Sequence, residues 1–164
     1  LAYANLRGTD LSFSKLSHAD LRCADLSHAY LTASNLSYAN LSHSNLSHAD
    51  ILYVSVVCAS FYRADLSYAR LYHIAHSNVD FRGATFNETN IDSEIVSKVP
   101  LILDGLRWSV IITEGYMKIG RHRHTHEEWK SFNDRQISKM DKDALEFWNR
   151  YSVVLLSMCD IQSK

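Results

Sequence analysis

His122, His124 and His126 alternate along the chain, with Glu127 and Glu128 directly after them. On an extended backbone that alternation turns three imidazoles to one side, an arrangement able to hold zinc or nickel. No cysteine lies nearby to complete the set, and histidines in a polar loop are ordinarily solvated, so no metal or other cofactor is expected. His28 and His48, with His43 close in sequence, make a second and weaker set. Nucleophilic chemistry finds little support. The many serines occupy turn-forming positions, and Cys23 and Cys58 lack a histidine-paired context. No nucleophile elbow, P-loop or dinucleotide fingerprint is present, and an enzyme is not expected.

The remaining candidates are surface groups. Asp10, Asp25, Asp50 and Asp65, with Asp20 and Asp80, offer carboxylates to a partner. Tyr30, Tyr38 and Tyr68, with Tyr53, Tyr62 and Tyr72, offer rings of the kind enriched at binding hot spots. The plainer readings are that the carboxylates bond their own corner backbone and that the rings form cross-strand ladders. The formal charge of −1 and pI near 6.8 argue against direct nucleic-acid binding. Arg121, Arg123 and Lys130 do cluster near Trp129, and Lys139, Lys142 and Arg150 follow, but acidic residues are interspersed throughout.

These groups are carried by a repeat. From Leu16 to Ile51 a bulky apolar residue returns at every fifth position, in most units with a small residue two places before it and usually Asp or Asn between. A period of five suits neither a helix nor a half-buried strand. It suits a chain that turns a corner once per unit, burying the large and small residues inside and stacking coil upon coil. The central series runs from Leu1 through Leu41, Phe61 and Phe81 to Ile91, and on to Val96. With four units per coil, outward residues twenty apart form columns: Asn5, Asp25, Asn45, Asp65, Thr85; Asp10, Tyr30, Asp50, Arg70, Asn90; Gly8, His28, His48, Tyr68, Glu88. Phe61 is expected to stack on Phe81. Two departures stand out: β-branched residues at 51–58 predict a widened or bulged corner, and at 74–79 either His76 lies inside or the register slips to Ile74.

The motif A-[D/N]-L-x-x resembles that of the pentapeptide-repeat proteins. The resemblance implies an all-β solenoid, a right-handed quadrilateral β-helix of about five coils. It is also similar to the repeat of the quinolone-resistance members (the Qnr and MfpA type), in which a DNA-sized rod presents carboxylates to the DNA site of gyrase. That likeness implies a DNA-mimicking inhibitor, with Asp10, Asp20, Asp25, Asp50, Asp65 and Asp80 as the mimicking groups. The charge is thin for the role: residues 1–95 carry nine acidic against six basic side chains.

The beat stops at Pro100, so 1–99 is read as the β-helix and 100–164 as a small α+β module. Leu101–Leu103, an Asp104-Gly105 turn and Leu106–Thr113 predict a tight hairpin, with a third strand at Tyr116–Ile119. Thr125 with Glu128, and Asn133 with Gln136, predict two short capped helices. A long amphipathic helix is expected from Asp141 to Cys159. Its wide stripe of Phe147, Trp148, Tyr151, Val154, Leu155 and Met158 is expected to cap the solenoid, to form a homodimer, or both. The segment IGRHRHTHEEW and the later ALEFW are similar to a tail on phage and prophage pentapeptide-repeat proteins. Taken together, these features predict a non-enzymatic, cytoplasmic binding protein of phage or mobile-element origin, whose partner is a host defence or DNA-processing enzyme. No apolar run reaches transmembrane length, the odd cysteine count argues against disulfides, and Leu1, already in register without a Met, implies an upstream piece.

Overall fold

The computed structural model describes residues 1–74, 78–103 and 105–164, which form two compact units, Leu1–Val99 and Pro100–Lys164. In the first unit most of the described bulky residues open a β-turn. The small residue three places on donates its N–H to that residue's carbonyl, as in Ala24 N to Leu21 O at 3.1 Å and Ala29 N to Leu26 O at 3.0 Å. The third residue of each turn lies at positive φ, near 60° at Tyr3, His18, His28, Tyr38, His48 and Tyr68, as a type II turn requires. The Asp or Asn before the leucine fastens the same corner. Its Oδ1 accepts the N–H two residues on, at 2.9–3.2 Å for Asn5, Asp10, Asp20, Asp25, Asn35, Asn40, Asn45, Asp65 and Asp80.

Corners of this kind bring residues twenty apart into parallel pairing: Asn5 with Asp25, Asp25 with Asn45, Asn45 with Asp65, and Asp65 with Thr85. Peptides bond to the next coil, as Leu11 N does to Tyr30 O at 2.8 Å. The leucine column is thereby sealed, with Leu21, Leu26, Leu31, Leu36, Leu41 and Leu46 at 0% exposure. Each such side chain contributes about 1.5–3 kcal/mol of burial. Phe61 stacks on Phe81 at 5.1 Å, so rings take over the axis in the later coils.

Regular strands appear where pairing is longest: β1 (Asp50–Leu52), β2 (Arg70–Tyr72) and β3 (Thr89–Ile91) are parallel, and β4 (Glu94–Val96) folds back antiparallel on β3. Val96 is therefore not a further five-residue step. It is fully buried, but Asp92 and Ser93, both at positive φ, make a tight two-residue turn that reverses the chain. At the Ile51–Val54 corner, where the sequence predicts a widening or a bulge, Ile51 still pairs in register with Leu71 and Tyr53 N donates to Tyr72 O at 2.8 Å. The choice between His76 and Ile74 turns on residues 75–77, outside the described residues.

In the second unit, β5 (Leu101–Leu103), β6 (Val110–Ile112), β7 (Tyr116–Ile119) and β8 (His122–Thr125) form an antiparallel sheet in that order. The expected tight turn at 104–105 is not how β5 meets β6. Leu103 pairs with Val110, so residues 105–109 stand outside the ladder, and Trp108 turns against Phe147 at 5.1 Å; Asp104 lies outside the described residues. The stretch read as a polar loop, 122–125, is a strand, because Gly120 (φ +56°) returns the chain onto β7. Helices α1 (His126–Ser131) and α2 (Asp134–Ser138) carry the two capping boxes, at Thr125/Glu128 and Asn133/Gln136.

Helix α3 spans Ala144–Gln162, shifted three residues beyond the expected span at each end. Phe147, Trp148 and Leu155 are buried in this unit's own core with Val110, Ile112, Met117 and Trp129, and Tyr151 and Met158 pack partly against it. The stripe thus has the four-stranded sheet to cover, a partner that the sequence pattern did not reveal. Val154 remains 52% exposed, beside Val153 at 82%.

Candidate functional site

The left-handed corner residue points away from the axis, and every coil repeats it twenty residues later. Rings at these places therefore stack. His28 lies on His48 at 4.8 Å with parallel planes, and His48 lies on Tyr68 at 4.9 Å and 7°. His18 stacks on Tyr38 at 4.9 Å and 3°, and Tyr53 on His73 at 5.4 Å. The rings remain exposed: 55% for Tyr38, 59% for Tyr53 and 49% for Tyr68. They occupy three successive corners of the coil. Tyr30 stands on a flank between them, paired in register with Asp10 and Asp50. The imidazoles at 18 and 73 were missed as members of this surface; their distance of twenty residues from Tyr38 and Tyr53 was the available signal.

The carboxylates are differently employed. Asp10, Asp25 and Asp65 cap their own corners, and the hydrogen bonds from Ser12 and Ser27 hold Asp10 and Asp25 below the usual carboxylate range. Asp20 is gripped by Arg22 at 2.7 Å, which brings its pKa down to about 2. Asp80 pairs with Arg82 at 2.8 Å and Asp50 with Arg70 at 3.1 Å. Three of the six expected charges are therefore ion-paired with a guanidinium.

The histidine triplet does not converge. His122 Nε2 meets the Met140 carbonyl at 3.0 Å, the His124 ring stands edge-on to Trp129 and Phe132, and His126 Nδ1 meets Ser163 Oγ at 2.9 Å. His126 has already left the strand for α1, which breaks the alternation, and Glu128 is engaged in the capping box. His28 and His48 meet face to face, which aims their nitrogen lone pairs outward rather than at one point. Among the described residues no three His, Cys, Asp or Glu side chains come together as a metal site. The buried Cys159 is pushed up to about 11 by its surroundings, a poor nucleophile.

A family model for pentapeptide repeats matches residues 1–27, 24–56 and 59–93, in eight copies. Among solved structures, the chain is similar to HetL, a pentapeptide repeat protein involved in heterocyst differentiation regulation from the cyanobacterium Nostoc sp. strain PCC 7120. The identity is 27% over 57% of this chain and 41% of HetL, with a TM-score of 0.42. Rfr23 from the cyanobacterium Cyanothece 51142 is 26% identical over 54% of this chain and 64% of its own, with a TM-score of 0.40. QnrB1, a plasmid-mediated fluoroquinolone resistance protein, is 16% identical over 57% and 70%, with a TM-score of 0.36. The chain thus spans less than two thirds of HetL and of Rfr23. No curated protein matches it.

Proposed function

Because the chain belongs to the pentapeptide-repeat family, we propose that it is a non-enzymatic binding protein whose β-helix presents ordered rings and flanking carboxylates to a protein partner. The carrying observation is the solvent-facing stack His28–His48–Tyr68. Rings already fixed by their neighbours lose little conformational freedom on docking, and tyrosine supplies large contact area. Tyr30, Tyr38, Asp10, Asp25, Asp50 and Asp65 belong to the same proposed surface. A phage or mobile-element origin, a cytoplasmic location and a host defence or DNA-processing enzyme as partner belong to the same proposal. Exposed Val153, Val154 and Ile161 on α3 support a homodimer, to be checked by analytical ultracentrifugation.

Mimicry of DNA toward gyrase ranks second. It needs columns of free negative charge, whereas Asp20, Asp50 and Asp80 are each neutralised by an arginine. A supercoiling assay separates the two: inhibition at micromolar protein would favour mimicry. The leading reading is tested by affinity capture from host lysate with and without nuclease. A reproducible protein partner that survives nuclease supports it, and loss of every partner on nuclease treatment would overturn it.

A further inference from the structure

The three tryptophans of the chain, Trp108, Trp129 and Trp148, all line one cavity of about 210 Å³ within the second unit. Trp129 and Trp148 stack at 5.1 Å, Trp108 meets Phe147 edge-on, and Ile137 and Ala144 complete the apolar wall. One side depends on a missing side chain. A Cβ on Gly120 would stand 3.2 Å from Trp108 Cδ1, a tight approach, and the residue lies at φ +56°, so glycine suits the place where that indole lies against the β7–β8 turn. The Trp129 ring nitrogen is already satisfied, donating to the Met117 carbonyl at 2.6 Å. The interior therefore offers a ligand mainly apolar surface. An engineered apolar cavity of about 150 Å³ holds benzene, so this one has room for a ring and a short linker.

The rim is polar and carries both signs. Arg121 reaches the Met140 carbonyl and the His122 ring only at 3.5 Å each, and it has no carboxylate partner among the described residues. Asp141 lines the same rim, and among the described residues its carboxylate has neither a hydrogen bond nor an ion pair. His122 is occupied by the Met140 carbonyl. An anionic ligand would answer Arg121 and face Asp141; a cationic one would do the reverse. A zwitterion answers both.

We propose that this cavity is a binding site for a small zwitterion with a one-ring apolar side chain, an α-amino acid of the phenylalanine class. The ring packs against the tryptophan-lined wall, the carboxylate takes the N–H donors of Arg121, and the ammonium donates to Asp141. This site is separate from the ring columns of the β-helix and stands or falls without them.

The test is calorimetric titration of the full chain with L-phenylalanine, 3-phenylpropionate and 2-phenylethylamine, which share a ring and differ in charge. Phenylalanine should bind saturably, and each analogue should bind about tenfold more weakly or worse, as loss of a charge-assisted hydrogen bond implies. Arg121→Gln should remove phenylalanine's advantage over 2-phenylethylamine, and Asp141→Asn its advantage over 3-phenylpropionate. Both residues are exposed, so neither change threatens folding. Ala144→Leu, which fills the void, should abolish binding of all three. Absence of saturation by phenylalanine, equal affinity for the three compounds, or indifference to both rim variants would overturn the proposal.

Discussion

A side chain on a left-handed residue carries a cost of about 1–2 kcal/mol for any L-residue but glycine. Among the described residues that cost recurs at eighteen non-glycine positions, most of them corners of the coil. A stacked pair returns about 0.5–1.5 kcal/mol, comparable in size, so His28, His48 and Tyr68 offset the strain of their own positions. Ala33 has the strain (φ 56°) and no ring to stack. Ala33→Gly should therefore raise stability by about 1 kcal/mol in urea unfolding, whereas His48→Gly should give no gain because it breaks two stacks. Cysteine reactivity divides in the same local way. Cys23 is exposed and should be alkylated readily near pH 8, while Cys159, buried and titrating near 11, should stay unmodified in the folded protein. Because the folded thiol holds its proton to higher pH than the unfolded one, its contribution is intact below pH 8 and is lost as pH rises toward 11. Alkaline melting curves of the wild type and Cys159→Ala should diverge in that window.

At the scale of elements, the repeat was legible because one requirement, a large side chain on the axis at every fifth place, recurs without local competition from Leu16 to Ile51. Leu41→Ala should cost about 2–5 kcal/mol, since stacked coils cannot collapse into the gap, and Ser17→Asp on the exposed corner should change stability by less than about 0.5 kcal/mol. The outward columns were equally readable, as the pairing of Asp10, Tyr30 and Asp50 demonstrates. What the pattern did not carry was tertiary. The β5–β6 connection is set by where Trp108 packs, and the strand at 122–125 by a glycine-dependent turn. The apolar stripe of α3 revealed that it had a partner without revealing that the partner was the sheet of its own unit. Gly120→Ala tests the turn: it adds backbone strain and a tight contact with Trp108, so the second unit should lose about 1–2 kcal/mol and its tryptophan fluorescence should shift.

For the molecule as a whole, a coil of twenty residues fixes where each outward side chain recurs, and two units supply two separate kinds of surface. No described helix is long and apolar enough to cross a membrane. The first unit offers rigid rings on successive corners, and the second offers a tryptophan-lined cavity. A binding role assigned to the rings makes a demand that a purely structural ladder does not: their loss must weaken a partner more than it weakens the fold. The decisive measurement is the affinity of the captured partner for the wild type and for a triple variant, Tyr38→Ser, Tyr53→Ser and Tyr68→Ser, alongside urea unfolding of both. The account predicts that affinity falls by tenfold or more, about 1.4 kcal/mol, while the β-helix stays folded. Undiminished affinity in a folded triple variant would contradict it.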